Sequence, residues 1–111
     1  MVTRSTEEAV AVLLRSLTRR HLIMVGRAVA RELIALLGTT HVREVRAEMI
    51  RLGHGPDIEA VGSDQWLGVV FRSRDFKATG DTYTPPESEP SHNVHSWHPV
   101  NIWRMRRPEE R

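Results

Sequence analysis

The chain has no cysteine, a single lysine, one tyrosine and two phenylalanines among its 111 residues. Without cysteine there is no disulfide framework, no thiol nucleophile and no cysteine zinc site, which suits a reducing compartment and makes a cytoplasmic location the expectation. Nor is there an apolar run approaching the roughly 18 residues that a membrane span needs. The run from Ala9 to Leu14 is short and follows acidic Glu7 and Glu8, so neither a membrane partner nor a secretory leader is expected. A phosphate-cradling loop is missing as well, because Gly53-His54-Gly55 has neither the lysine nor the preceding strand that such a loop requires. Serines and histidines occur, but no pattern pairs a nucleophile with a base. Glu7-Glu8 and Glu109-Glu110 read as a helix cap and a terminal tail. No catalytic residue and no cofactor is therefore expected, and the chain reads as a non-enzyme.

What is present is ordinary in amount and uneven in kind. Apolar residues make up 40% of the chain and charged residues 27%, which suits one globular domain with a single modest core. Net charge is +2, yet arginine supplies all but one of the 16 basic residues. Guanidinium groups make planar, bidentate contacts to phosphates and guanine edges, so the bias fits a nucleic-acid surface, and it fits equally a GC-rich genome, which encodes arginine cheaply.

Ser5-Thr6-Glu7-Glu8 has the capping-box pattern. Val10, Leu13, Leu14 and Leu17 then recur at helical spacing, predicting a first helix from about Thr6 to Arg19. A second helical stretch, His21 to Leu37, places Leu22, Val25, Val29, Leu33 and Leu36 on one face and ends at Gly38. Only Gly26 interrupts 6–37, so one helix or two is left open. Thr39 or Thr40 is expected to cap a third helix, in which Val42, Val45, Met49 and Leu52 form a stripe that Gly53 ends. His54 to Gly62 reads as a loop from which Ile58 and Val61 tuck inward. A fourth helix, Ser63 to Ser73, has Ser63 as its cap. Trp66, Leu67, Val69, Val70 and Phe71 share a broad inward arc, opposite Asp64, Gln65, Gly68 and Arg72. Arg74 to Ala78 predicts a short strand with Phe76 inward and Lys77 outward, turned at Thr79-Gly80. A polar, proline-bearing loop follows, and Val100 to Arg104 is the return strand.

That order gives a mainly α fold with a small β wing, a winged helix-turn-helix preceded by an extra N-terminal helix. Residues 1–20 are assigned to that helix as a possible dimerisation arm. Residues 21–107 form the DNA-binding domain, with its wing loop at 79–99, and 108–111 form a tail. In such a module the second helix of the motif enters the major groove of duplex DNA. Gln65 is placed to read adenine and Arg72 to read guanine or hold phosphate. Asp64 is placed to accept from cytosine or to serve the helix dipole, beside Ser63 and Gly68. Arg43, Arg46, Arg74 and Lys77 are assigned to backbone phosphate, and His95 and His98 to the wing. His92, His95 and His98 also form an H-x-x-H-x-x-H run, but it is not helical and no carboxylate or thiol completes it, so no metal is assigned. The partners expected are double-stranded DNA and a second copy of the chain through Val10, Leu13, Leu14 and Leu17. A protein-interaction module, a winged helix used to bind a host or replication protein, is the alternative.

The run Trp66-Leu67-Gly68-Val69-Val70-Phe71-Arg72 is followed by Phe76-Lys77-Ala78-Thr79-Gly80, by His95 and His98-Pro99-Val100, and by Ile102-Trp103-Arg104. Together these resemble a family of small phage and prophage winged-helix proteins, over about residues 21–107. The resemblance implies a winged-helix fold and DNA binding in phage or mobile-element replication or transcription control. His98-Pro99 stands where that family has Arg-Pro, and the wing loop is less basic. Both departures reduce the phosphate contact expected of the wing. The helix from Ser5 to Arg19 lies outside the resemblance.

Overall fold

The computed structural model describes residues 4–86 and 98–111, with side chains from Thr6 onward. The fold is mainly helical with one two-stranded antiparallel sheet. Helix α1 runs unbroken over Arg4–Leu37, 34 residues and roughly 50 Å. The two predicted N-terminal helices are thus one. Ser5 lies inside it rather than at its cap. Gly26 does not break it, because it is a contact point: a Cβ added there would lie 2.8 Å from Val70 Cγ2. Gly38, at φ 88°, ends the helix and returns its N–H to the Ile34 carbonyl at 2.7 Å.

Helix α2 spans Val42–Met49. Its cap is His41, whose Nδ1 accepts the Glu44 N–H at 3.4 Å, and not Thr39 or Thr40. Thr40 is used differently. It forms a bridge to Trp103, its N–H donating to the Trp103 carbonyl at 3.0 Å and its carbonyl accepting the Trp103 N–H at 2.8 Å. A π-type turn, Ile50–His54, follows α2, with Gly53 left-handed at φ 99°. This early change of winding leaves Leu52 exposed instead of on the α2 stripe.

The stretch expected as a loop contains helix α3, Gly55–Val61, with a proline in its first turn. Proline there lacks only an N–H that the helix would leave unpaired, and its fixed φ suits the helix start. Ile58 is buried and Val61 half-buried, both inward as expected. The predicted helix Ser63–Ser73 is corrected to a four-residue helix α4, Leu67–Val70. Tighter turns flank it, with Leu67, Gly68, Val69 and Arg72 each donating to the carbonyl three residues back at 3.0 to 3.2 Å.

Strands β1 (Phe76–Tyr83) and β2 (Val100–Met105) pair antiparallel, Phe76 opposite Met105 and Tyr83 opposite Val100. The register shifts between Ala78 and Thr82, where Gly80 takes φ 92°. Thr79-Gly80 is therefore a bulge inside a longer strand, not the turn that ends it. Residues 108–111 are not a simple tail. Pro108–Glu110 form a 3₁₀ turn, and Glu110 pairs with Lys77 at 2.7 Å and with Arg104 at 2.8 Å.

The core gathers Leu22, Val29, Ala30 and Ile34 of α1 with Val45, Met49, Ile58, Trp66, Leu67, Val70, Phe71 and Phe76. The buried stripe of α1 is rotated from the predicted one. Val25 and Leu33 only flank it, and Leu36 is 78% exposed. Phe71 stacks on Trp103 with ring centroids 5.0 Å apart and meets Phe76 edge-on at 5.1 Å, which locks α4 to the sheet.

Arg104 first, then Lys77 and the Arg107 backbone N–H, hold the Glu110 carboxyl far below the ordinary value of 4.5. The unfolded chain binds that proton more readily. The pairing therefore stabilises fully above about pH 4.5 and is lost as the pH falls toward the lower folded value. Asp75, lowered chiefly by Arg31, acts in the same direction. The melting temperature is expected to drop more steeply below pH 4.5 in the parent chain than in Glu110→Gln. Parallel acid limbs in the two proteins would remove this role for Glu110.

Candidate nucleic-acid interface

The outward side of residues 63–74 forms by exclusion. Trp66, Leu67, Val70 and Phe71 are buried, and Gln65, Gly68, Arg72 and Arg74 are exposed. Ser63 Oγ accepts the Gln65 N–H at 3.2 Å and sets the start of the segment. Its far end is held from a distance by Arg27 of α1. The Arg27 guanidinium donates from Nε to the Val70 carbonyl at 3.0 Å, and from Nη2 to the Val69 and Arg72 carbonyls at 3.1 Å. A cation on the last carbonyls of a helical turn satisfies groups that the turn leaves unpaired and opposes its dipole. Together with the close approach of Gly26 to Val70, this fixes the exposed residues on a rigid support.

The expected interface residues divide into two sets. Gln65, Gly68, Arg72 and Arg74 share the exposed side, and an added Cβ at Gly68 meets nothing within 4 Å. Arg72 and Arg74 have no carboxylate partner among the described residues. The other cations are engaged. Arg46 Nε lies 3.3 Å from Asp64 Oδ2, an ion-pair contact without the alignment of a hydrogen bond. Two residues assigned to DNA are therefore paired with each other, and both are half-buried. Lys77 is bound to Glu110. Arg43 is half-buried, and His98 is exposed two residues before β2. His95 lies outside the described residues, as do His92 and most of the wing loop.

Sequence reasoning missed Arg15 and Arg19. They line a cleft of about 240 Å³ together with Ser63 and Gln65. On α1 they lie opposite Val10, Leu13, Leu14 and Leu17, at about 100° per residue. In the N-terminal half of the helix Arg15 and Arg19 thus face Ser63 and Gln65, while Val10, Leu13, Leu14 and Leu17 face away from them. On the other side of Gln65 a wider groove is lined by Arg46, Glu59 and Asp64. The basic side of Gln65 is thus the α1 side. The signal was available in the helical wheel of residues 10–19, but nothing local showed which element Arg15 and Arg19 would face.

No helix among the described residues is long and apolar enough to cross a membrane. No family model matches this chain, and no curated protein or solved structure matches it either.

Proposed function

We propose that this chain is a winged helix-turn-helix protein that binds double-stranded DNA as a homodimer. The observation that carries the reading is the exposed set Gln65, Gly68, Arg72 and Arg74 on a segment clamped by Arg27, with Arg15 and Arg19 beside it. The bridge from Thr40 to Trp103 supports the fold assignment. It ties the connection between the first two helices to the return strand β2, beside which a wing would lie. In this reading the 64–72 segment meets the groove. Gln65 and Arg72 contact base edges, while Arg74, Arg15 and Arg19 take phosphate. Lys77 and Arg46 contribute little, because binding phosphate would break their internal pairs. The reading surface is small, so affinity is modest for one copy and a second is needed.

Gln65→Ala combined with Arg72→Ala is expected to weaken duplex binding at least tenfold and to flatten its salt dependence, measured by fluorescence anisotropy at two salt concentrations. Unchanged binding would remove this segment as the reader.

One observation favours the alternative of a protein-interaction module. Internal pairing of Arg46 and Lys77 leaves the basic surface smaller than the arginine count suggests. If the parent chain binds no duplex, hairpin or single-stranded DNA at low salt, that reading replaces the first.

A further inference from the structure

His21, His54 and Asp57 come from three parts of the fold and present one ligand atom each, all within 4.8 Å of one another. We infer that they form a binding site for a divalent transition-metal ion such as zinc. Two imidazoles and one carboxylate suit zinc, cobalt or nickel rather than calcium or magnesium, which take oxygen ligands. With metal–ligand bonds of about 2.1 Å, the ligands of a tetrahedral ion stand roughly 3.4 Å apart. His21 and Asp57 are exposed and His54 half-buried, so side-chain rotation closes the remaining distance without moving a packed group. Three protein ligands leave at least one position for water.

The backbone places these residues for reasons that can be traced. His21 directly precedes Leu22, which is fully buried and begins the core stripe of α1. It therefore stands where the helix leaves the body. On the other side, the left-handed turn at Gly53 ends the winding of α2 and sends His54 back toward α1, so that its ring lies 6.0 Å from that of His21 at 55°. Pro56 starts α3, and Asp57 follows in its first turn, three residues after His54. A bound ion joins α1 to the α2–α3 connection at the root of the projecting half-helix, and so fixes the direction in which that half-helix points. His54-x-x-Asp57 is visible in the sequence, but His21 is not connected to it there.

The site is tested by titrating tag-free protein with zinc chloride by calorimetry, and with cobalt chloride by visible absorption. One saturable ion per chain is expected. His21→Ala and Asp57→Asn, both at exposed positions, should each weaken binding at least tenfold with an unchanged circular dichroism spectrum. The control His92→Ala/His95→Ala/His98→Ala should bind as the parent does. No saturable zinc binding up to about 100 μM, a concentration that fills any site of micromolar affinity, would overturn the assignment. So would parental affinity in His21→Ala, or loss of binding in the triple control. DNA binding is not a readout here, so the result stands apart from the proposed function.

Discussion

Trp66→Ala is expected to cost about 3–5 kcal/mol of stability, a large share of the roughly 5–15 kcal/mol that holds a small domain together. Trp66 is 1% exposed and belongs to the same core cluster as Met49, Ile58 and Phe76. Two terms add on truncation. The apolar surface of the indole is no longer removed from water, and a cavity is left that the surrounding core fills only in part. Trp66→Phe keeps most of the apolar volume, and the indole N–H has no acceptor among the described residues to forfeit. It is expected to cost well under half as much. Urea unfolding of the three proteins gives the comparison. A loss below about 1 kcal/mol for Trp66→Ala would mean that this segment is not built into the core. The consequence reaches the reading surface proposed above, since Gln65 precedes Trp66 and Gly68 lies two residues on. A protein with Trp66 truncated should lose the reading surface before it loses α1.

The second large effect is on assembly. Leu13→Glu with Leu14→Glu is expected to abolish the proposed dimer while leaving the melting temperature of the body within a few degrees. Leu13 and Leu14 are each 58% exposed, Val10 and Leu17 are about half exposed, and all four share one face of α1. A helix half that projects with its apolar side uncovered gains little from helix propensity alone and is stabilised by a partner. The charges favour a second copy in antiparallel array. Glu7 flanks the stripe toward one end and Arg20 toward the other, each about 70° from its centre. Antiparallel pairing sets acidic ends beside basic ends, whereas parallel pairing sets like beside like. Sedimentation equilibrium decides it. A parent chain that is monomeric at tens of micromolar, or a double variant that remains dimeric, removes the arm as the interface. Dimerisation through the leucine face leaves Arg15 and Arg19 on the opposite face beside Gln65, so both surfaces of the helix are usable at once.

The sequence by itself determined whatever depends on neighbours along the chain. The burial of Trp66, Leu67, Val70 and Phe71, the inward Phe76 beside the outward Lys77, and the return strand at Val100 follow from spacing, because helix and strand periods place a side chain within a few residues of itself; Val69, expected inward with them, is only half-buried and outside the core cluster. Local breakers were read less well. Pro56 and Gly55 suggested a loop where they begin α3, and Gly26 left one helix or two open over 6–37 where it admits Val70. In both cases the residue type was right and its tertiary partner decided its meaning. The eleven-residue helix expected at 63–73 became one four-residue turn between tighter ones. Its apolar arc is too wide for an amphipathic surface helix, so packing on three sides governs its winding. Only the tertiary structure decided the charges. Arg27 on the carbonyls of α4, Arg46 with Asp64, Lys77 with Glu110, and His21 with His54 and Asp57 join residues far apart in sequence. Hydrogen bonds act only at contact and exposed charges are screened beyond about 10 Å, so these pairs form only once the fold has brought the groups together. That is why the chain displays its core in its pattern and hides which of its arginines remain available to a partner.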